Sequence, residues 1–463
     1  MDRVAKGLTL VVGLGVSGRA ICRHLSRLNV PYMVADTRAE PPGLDDFSAA
    51  HPGIDIYCGS LTALDLTDVT EVVVSPGLDP RMPGLTELAD QLNPQSGEPM
   101  VVGEIALFVR AAKAPVAAIT GSNAKSTVTT LLGDMAAAAG VDAAVGGNLG
   151  TPALDLLANH PDAKLYILEL SSFQLETTPK LGARCAAFLN LSEDHLDRHG
   201  DMHGYRTAKQ RIFIGAQHAV ANASESLTWP EQPVAQLTHF SSQAPTAEKE
   251  WGLALHLDKW TLMQGTTPWL AVDELTMVGQ HNYLNALAAL AMGQALGFAA
   301  APMCSALREF KGLPHRSEVI AQINGVSWVN DTKGTNVGAT LAAINGIGAT
   351  LQGRLVLLAG GVGKGADFTP LAEPLSRCAR LVLLFGLDAP RLADALIEHV
   401  SIQQVEDLTQ AMQVAYQLAQ PGDCVLLSPA CASLDQFANY HERGEVFRRW
   451  VEHMAQQTAE AKV

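Results

Sequence analysis

Three short apolar runs each lead into a glycine-rich turn, and this repeated arrangement constrains the fold more than any other feature of the chain. The runs are Leu8–Val12, Val116–Ile119 and Leu355–Leu358. Strand, glycine turn and helix form the repeating unit of parallel α/β folds, whose ligands bind at the carboxyl ends of strands. The sequence therefore predicts an α/β protein with several such ligand-binding strand ends.

The rest of the chain favours three α/β domains. At 463 residues, the length suits about three domains of ordinary size. Joints near Phe108–Pro115 and Lys311–Arg316 predict domains at residues 1–108, 109–312 and 313–463. Between about Ser224 and Asp273 the pattern changes to short polar-rich segments, which predicts a small antiparallel addition to the central domain.

Composition narrows the class of protein. A formal charge of −15 and a pI of about 5.3 argue against a general nucleic-acid binder, so anionic ligands need local sites. The 7 scattered cysteines and the lack of a signal-peptide pattern favour a cytoplasmic protein. The uncharged stretch Asn282–Leu307 is rich in alanine and interrupted by Pro302, which favours a buried helix pair over a membrane span.

The first glycine turn fits a dinucleotide-binding fingerprint. Gly13, Gly15 and Gly18 follow a strand, and Asp36 ends the next strand. This spacing indicates a helix N-terminus that faces a diphosphate and an acid that faces a ribose or base. Two alternatives stay open: the glycines serve only close helix packing, or the diphosphate belongs to a nicotinamide dinucleotide and not to a UDP-sugar.

The second turn carries the end of a phosphate-binding P-loop. Lys125, Ser126 and Thr127 stand where a lysine neutralises phosphates and a hydroxyl binds magnesium. The full pattern is absent, since Ile119 and Ala124 occupy its two glycine positions. A glycine before the lysine allows a positive φ, so we expect Ala124 to be held in that conformation at a cost of roughly 1–2 kcal/mol. If its φ were negative, the alanine would be harmless.

Polar residues follow two more strands of the central domain. Glu169 comes directly after the run Tyr166–Leu168, and His195 follows the run Ala186–Asn190. Such residues at the ends of neighbouring strands are predicted to supply oxygen and imidazole ligands to a metal at the P-loop. In the last third, the stretches 330–336 and 428–435 also leave strands with hydroxyl and charged side chains suited to anions.

Taken together, these motifs resemble one family, the Mur ligases, along nearly the whole chain. The resemblance rests on Gly121–Thr127, Glu169–Leu175, Gly279–Asn282, Leu313–Arg316, Asn330–Lys333 and Ser428–Ser433. The segments Asp36–Arg38, Gly146–Asn148 and Ser428–Phe437 are most similar to the D-glutamate-adding members. The family implies a Rossmann-like UDP-binding domain, a central P-loop-type ATPase domain and a Rossmann-like C-terminal domain.

The resemblance also implies a reaction. ATP phosphorylates the carboxylate of UDP-N-acetylmuramoyl-L-alanine, and the amine of D-glutamate displaces phosphate from the acyl phosphate, a step of peptidoglycan synthesis on which cell shape and division depend. The implied cofactors are ATP and Mg²⁺, and the implied partners are small molecules only, bound by a monomer. By the same resemblance, Lys125, Glu169, His195 and Lys209 are catalytic, and Lys209 is carbamylated.

The remaining site residues are carried over from the family. ATP is expected at Gly121, Ser122, Asn123, Ala124, Lys125, Ser126, Thr127, Asn282, Asn285, Arg316 and Asp331. Magnesium is expected at Ser126, Thr127, Glu169, His195 and Lys209. The UDP-substrate is expected at Gly15, Val16, Ser17, Asp36, Thr37, Arg38, Gly77 and Asn148. D-Glutamate is expected at Lys333, Thr335, Lys364, Ser433, Leu434 and Tyr440, of which Tyr440 replaces the usual apolar aromatic residue.

Three rival functions are distinguishable. A folylpolyglutamate-type ligase would share the ATP domain but lack the first-domain fingerprint of Gly13–Gly18 and Asp36. A nicotinamide-dependent oxidoreductase would leave Lys125, Glu169 and the last domain without a role. A non-catalytic relative is suggested only by Ala124.

Overall fold

The computed structural model describes residues 7–277, 279–348 and 351–460. It is an α/β protein with three sheets, one in each of three successive parts of the chain. By its internal contacts the described chain divides into two compact units. The first unit takes its residues from 1–190, 206–270 and 286–307, and the second from 191–205, 271–285 and 308–463. The first two sheets lie in the first unit and the third sheet lies in the second.

The first sheet is parallel throughout, with its strands in the order β3-β2-β1-β4-β5. Its strands are β1 (Leu8–Val12), β2 (Tyr32–Asp36), β3 (Ile56–Cys58), β4 (Val69–Val74) and β5 (Val101–Gly103). The central strand β1 is apolar on both faces, with Leu10, Val11 and Val12 fully buried. That continuous run is typical of a parallel strand covered on both sides.

The central sheet has nine strands in the order β14-β13-β12-β11-β10-β9-β6-β8-β7. These are β6 (Val116–Thr120), β7 (Ala143–Gly147), β8 (Leu165–Glu169), β9 (Cys185–Phe188), β10 (His218–Asn222), β11 (Gln236–Phe240), β12 (Trp251–His256), β13 (Lys259–Gln264) and β14 (Thr267–Ala271). The strands from β7 to β11 pair in parallel, and β12 with β13 forms an antiparallel hairpin. The antiparallel addition predicted for the central domain is therefore an extension of its main sheet. One strand of this region, β11, is parallel to its neighbours β10 and β12.

The third sheet has the order β15-β16-β20-β17-β18-β19 and is parallel except for its edge pair β15 and β16. Its strands are β15 (Glu318–Ile323), β16 (Val326–Asn330), β17 (Leu355–Gly360), β18 (Ala379–Phe385), β19 (Ile402–Gln404) and β20 (Cys424–Leu427). Leu357 and Leu384 pack into one apolar core and Leu358 and Leu383 into another, so alternate residues of the central strands fill opposite faces.

Fifteen α-helices lie among the described residues. They are α1 (Val16–Arg27), α2 (Leu44–Ala50), α3 (Glu104–Ala111), α4 (Lys125–Ala138), α5 (Ala153–Asn159), α6 (Ser172–Glu176), α7 (Leu196–His199), α8 (Met202–Gln210), α9 (Gln280–Ala295), α10 (Ala300–Glu309), α11 (Val337–Gly348), α12 (Ala372–Cys378), α13 (Ala389–Leu396), α14 (Leu408–Leu418) and α15 (Tyr440–Glu460). Short 3₁₀ turns span Leu61–Ala63, Arg211–Phe213, Ser226–Thr228, Val272–Glu274 and Thr369–Leu371.

The helices α9 and α10 confirm the helix pair predicted for the uncharged stretch, and no helix among the described residues is long and apolar enough to cross a membrane. The third glycine turn differs from the predicted strand–turn–helix unit. After β17 the chain runs through Gly365 and the 3₁₀ turn Thr369–Leu371 before α12 begins at Ala372. Backbone bonds from Val362 to Ala432 and from Asp388 to Gly361 hold this longer turn, so it needs no helix directly behind it.

Candidate active site

The first glycine turn brings the start of α1 close to the end of β1. Gly13 has a φ of +98°, and a Cβ atom on Gly18 would lie 1.7 Å from the carbonyl oxygen of Gly13. Only glycine fits at position 18, so the packing role proposed for these glycines applies to Gly18. A Cβ on Gly15 would meet nothing within 4 Å, which leaves the amides at the start of α1 accessible to a ligand.

The other first-domain candidates lie at the same sheet edge, because β2 and β4 both flank β1. Asp36 is buried and accepts hydrogen bonds from the Leu14 amide at 2.8 Å and from the Arg38 Nε at 2.8 Å. Burial alone would raise the pKa of Asp36, but the Arg38 and Leu14 bonds hold it below its usual range. The acid thus fixes the turn and orients Arg38, while Thr37 and Gly77 are exposed.

The P-loop follows β6 and leads directly into α4, as the sequence predicts. Ala124 caps this helix with a φ of +66° and a ψ of −7°, so the expected left-handed conformation is confirmed. An L-residue in this region carries a steric cost that glycine does not. The turn therefore imposes on Ala124 a backbone conformation that an alanine would otherwise avoid.

Two lysines converge on one carbonyl group of this turn. The Nζ of Lys125 donates to the carbonyl oxygens of Gly121 and Ser122, each at 2.9 Å. The Nζ of Lys209, on α8, donates to the Gly121 oxygen at 2.7 Å and to the Thr120 hydroxyl at 3.5 Å. Lys209 is 1% exposed. Both ammonium groups therefore lie beside the Gly121 carbonyl group of this turn.

Glu169 ends β8, the neighbour of β6, and is also buried. Its Oε1 accepts from the Asn148 Nδ2 at 2.7 Å, which joins a metal candidate to a substrate candidate. Ser126 and Thr127 at the start of α4 are buried. Hydroxyl and carboxylate oxygens are the ligands that Mg²⁺ prefers, so the donor chemistry of this region fits that ion.

The sequence did not single out the residue that holds the P-loop in shape. Asn190, two residues beyond β9, accepts from the Asn123 amide at 2.8 Å and donates to the Asn123 carbonyl at 3.2 Å. Its own carbonyl oxygen accepts from the Ser122 amide at 3.0 Å. The only sequence signal was its place as the last residue of the predicted run Ala186–Asn190.

His195 belongs to the second unit, where it lies beside two D-glutamate candidates. It adopts a φ of +54° before α7, and its Nε2 is 3.6 Å from Asp194 Oδ2. Asp194 accepts from Lys364 Nζ at 2.9 Å and from Asn336 Nδ2 at 3.3 Å. Burial would raise the pKa of Asp194, but the Lys364 ammonium holds it below its usual range. Asp194, Asn336, Lys364 and Thr335 line one small cavity, and Asp194 and Asn336 were absent from the predicted site.

Two further D-glutamate candidates meet directly. The Nζ of Lys333 lies 3.7 Å from the centre of the Tyr440 ring, a cation–π contact that an apolar aromatic residue would also allow. Ser433 is buried and Leu434 is 70% exposed in the loop after β20.

The nucleotide candidates of the second unit lie on α9 and in the loops before β15 and after β16. Asn285 Nδ2 donates to Asn282 Oδ1 at 3.3 Å on α9. Asp331 follows β16 and accepts from the Ser428 hydroxyl at 2.7 Å and the Ser317 amide at 3.0 Å. Burial raises the pKa of Asp331 to about 6, although these bonds and the nearby Arg316 oppose the shift.

A buried guanidinium that the sequence did not reveal ties α15 to the loops after β16 and β20. Arg443 on α15 is fully buried and donates to the carbonyl oxygens of Thr332 and Cys431 at 3.0 and 3.1 Å. Its Nε also donates to the Thr332 hydroxyl at 3.0 Å. Burial lowers the pKa of Arg443 to about 10, so it stays charged at neutral pH. It fixes the loops that carry Lys333 and Ser433.

Known proteins match this arrangement along the chain. The "Mur ligase MurD-like, N-terminal domain" matches residues 7–94, the "Mur ligase middle domain" residues 119–293, and the "Mur ligase, glutamate ligase domain" residues 315–431.

Individual relatives match over nearly their whole length. The UDP-N-acetylmuramoylalanine–D-glutamate ligase of Chromohalobacter salexigens is 61% identical over 97% of this chain and 98% of its own. The enzyme of the same name from Pseudomonas aeruginosa is 49% identical over 96% of this chain and 98% of its own. The structure of a MurF ligase from Thermotoga maritima with ADP is 15% identical, covers 93% of this chain and 96% of its own, and has a TM-score of 0.61, which shows the shared fold. This chain belongs to the Mur ligase family.

Proposed function

We propose that this chain is an ATP-dependent ligase that joins D-glutamate to UDP-N-acetylmuramoyl-L-alanine, giving ADP and phosphate in peptidoglycan precursor synthesis. The observation that carries the proposal is the 61% identity, over nearly the whole chain, to a relative of that name. The three matched domains and the P-loop with its two lysines agree with it.

The reaction would proceed in two steps. A carboxylate oxygen of the UDP-substrate attacks the γ-phosphorus of ATP, and ADP leaves. The amine of D-glutamate then attacks the acyl carbon, loses a proton, and the tetrahedral intermediate expels phosphate. Lys125 and the amides from Gly121 to Thr127 would hold the phosphates, since the Lys125 Nζ lies against the Gly121 and Ser122 carbonyl oxygens of the same turn.

Magnesium would be held by the oxygen donors of the central domain and by His195. In the first unit these donors are Ser126, Thr127 and Glu169. When bound, the ion would offset the charge that develops on the phosphates. We propose that Lys209 is carbamylated in the active protein, because its Nζ is buried beside the P-loop carbonyl and a carbamate would add two oxygen ligands there.

The UDP-substrate would bind at the carboxyl edge of the first sheet and at Asn148. The proposal is supported by the open space over Gly15 and Gly77 and by Arg38, which Asp36 orients. The contributing residues would be Gly15, Val16, Ser17, Asp36, Thr37, Arg38, Gly77 and Asn148.

In the second unit, ATP would contact Asn282, Asn285, Arg316 and Asp331. D-Glutamate would contact Lys333, Thr335, Lys364, Ser433, Leu434 and Tyr440. Its two carboxylates are complementary to the two lysines, which lie in the same unit. We also propose domain joints at about residues 108 and 312, a monomeric state and a cytoplasmic location. Each of the three sheets falls inside one of these segments.

A phosphate-release assay tests the function. With ATP, Mg²⁺ and UDP-N-acetylmuramoyl-L-alanine, we expect sustained phosphate release only when D-glutamate is added, and not with L-glutamate. Release with a folate substrate would favour the folylpolyglutamate-type alternative. Absence of release with every acceptor, despite binding of ATP, would favour a non-catalytic relative.

A further inference from the structure

The segment His315–Ser317 holds Arg316 between two residues in an unfavourable backbone conformation. His315 has a φ of +65° and Ser317 a φ of +45°. Left-handed conformations of residues other than glycine persist only where surrounding structure fixes them, and they concentrate at functional sites. The contacts that fix this segment are therefore informative about its role.

Residues of α15 help to fix the segment His315–Ser317 through two carboxylate groups. The His315 amide donates to Glu318 Oε2 at 2.9 Å, and Arg448 Nη2 donates to that same oxygen at 2.6 Å. Arg448 Nε also donates to Glu445 Oε1 at 3.3 Å. We call the group His315, Glu318, Glu445 and Arg448 the α15 clamp.

The His315 ring closes the clamp from the other side. Its Nε2 is 3.3 Å from Glu445 Oε1, and its Nδ1 is 3.1 Å from Asn330 Nδ2. The Asn330 amide is oriented by two more bonds, to the Gly444 carbonyl and from the Thr332 amide, so Nδ2 is the donor to Nδ1. The neutral ring must therefore carry its proton on Nε2 and donate it to Glu445.

The position of this proton also distinguishes between two roles for the side chains around His315, a metal site and a structural clamp. One ligand atom from each of His315, His441 and Glu445 lies within 4.8 Å of the others, a spacing that would suit a metal ion. A metal would need the lone pair of His315 Nε2, but that nitrogen bears the proton. Burial lowers the pKa of His315, which favours the neutral ring. The hydrogen bonds thus favour a structural clamp over a metal site.

We infer that Glu445 and Arg448 are positioning residues for ATP: through His315 and Glu318 they hold the segment that presents Arg316 and contacts Asp331. This inference rests on the proposed nucleotide role of Arg316 and Asp331. Ser317 links the segment to Asp331 through its amide, at 3.0 Å from Oδ1. The two nucleotide candidates and α15 therefore share one network.

The geometry predicts a defect in ATP binding and not in binding of the UDP-substrate. The UDP-substrate candidates all belong to the first unit, whereas the α15 clamp lies in the second. Loss of the Arg448 guanidinium removes one bond to Glu318 and one to Glu445. The α15 clamp then holds His315 less firmly, and Arg316 moves from its site. We expect even a small misplacement of Arg316 to weaken ATP binding roughly tenfold or more.

The test compares Arg448→Met with Arg449→Met in the full-length chain. Arg449 is the exposed neighbour, and the bond described for it runs to the Glu445 backbone in its own helix. We expect calorimetry with a non-hydrolysable ATP analogue to show about tenfold weaker binding for Arg448→Met and parent-like binding for Arg449→Met. Arg448→Lys should recover part of the loss, and UDP-N-acetylmuramoyl-L-alanine should bind equally to all.

Two results would overturn the inference: parent-like analogue binding by Arg448→Met, or equal losses for the analogue and the UDP-substrate, which would mean general unfolding. Thermal unfolding of each variant checks that it is folded, and Glu445→Gln offers a milder second variant that should weaken analogue binding in the same direction. Failure of the proposed function would appear separately, as absence of phosphate release by the parent protein. If the parent itself bound no ATP analogue, the inference would fail with it.

Discussion

Two turns in this molecule carry a lysine with a proposed ligand-binding role behind a buried strand, yet they hold the lysine in different ways. Lys125 follows β6 and donates to two carbonyl oxygens, while Lys364 follows β17 and forms an ion pair with Asp194. Both turns contain a left-handed residue other than glycine. In the first it is Ala124, which precedes the lysine, and in the second it is Lys364 itself, with a φ of +51°.

The difference shows how a site can suit one anion and discriminate against another. Carbonyl oxygens fix the position of an ammonium group at the start of a helix, a setting that attracts polyphosphate. A carboxylate neutralises the ammonium, so an incoming anion must exchange for Asp194 to reach Lys364. We expect tight, charge-driven binding at the first turn and weaker, geometry-dependent binding at the second.

The largest effect is expected from removing the P-loop charge. Lys125→Met should lower kcat about 100- to 1,000-fold, because the lysine stabilises charge that develops on the transferred phosphoryl group. Steady-state phosphate release measures this kcat. The matched control is Lys113→Met, at an exposed lysine in the same region of the sequence. A decrease in kcat of less than tenfold would contradict the proposed difference between the two turns.

The second prediction concerns the other cation that donates to Gly121. If Lys209 acts as a carbamate, Lys209→Ala should lose about 100-fold in kcat, and short-chain carboxylates should restore part of the activity by replacing the missing oxygens. The same carboxylates should not stimulate the parent. Loss of activity without any rescue would identify Lys209 as a plain ammonium contact to Gly121.

A smaller effect is expected at Lys364. Since Asp194 already neutralises this lysine, Lys364→Met should raise the KM for D-glutamate about tenfold, roughly 1.4 kcal/mol, and leave the KM for ATP unchanged. The exposed Lys311→Met in the same unit is the control. A drop in kcat as large as that of Lys125→Met would contradict the proposed difference.

The smallest effect concerns the strained alanine. Ala124→Gly should tighten binding of a non-hydrolysable ATP analogue by up to tenfold, about 1.4 kcal/mol, because glycine adopts the observed φ of +66° without steric cost. UDP-substrate affinity should not change. Ala137→Gly, at an exposed position inside α4, should lower stability by up to about 1 kcal/mol and leave ATP affinity alone. Equal or weaker analogue binding by Ala124→Gly would make the alanine a neutral variation.

Much of the fold could be predicted because its signals are local. The continuous apolar run Leu8–Val12 and the glycine turn behind it identified β1 and the start of α1. The strained conformation of Ala124 followed from its place one residue before the P-loop lysine. A small antiparallel addition was predicted where β12 and β13 form a hairpin, but its attachment to the main sheet through parallel β11 was not, since a local pattern does not reveal which strands pair.

The unpredicted residues share a different property, which is that their partners are distant in the sequence. Asn190 holds Asn123 across 67 residues, Asp194 pairs with Lys364 across 170, and Arg443 bonds Thr332 across 111. An isolated asparagine, aspartate or arginine in a loop or helix carries no sign of such a partner. The proposed binding residues were therefore easier to name than the residues that keep them in position.

The buried guanidinium of Arg443 has a consequence for the order of events during synthesis. The loop that it fixes after β16 leaves the ribosome 111 residues before the arginine does. Until α15 docks, the carbonyl groups of Thr332 and Cys431 lack this donor. Contacts of such high sequence separation form slowly. We expect the nascent chain to acquire a folded P-loop domain well before the loops proposed to bind D-glutamate take their final form, so a newly made molecule would pass through a stage that recognises ATP phosphates but not D-glutamate.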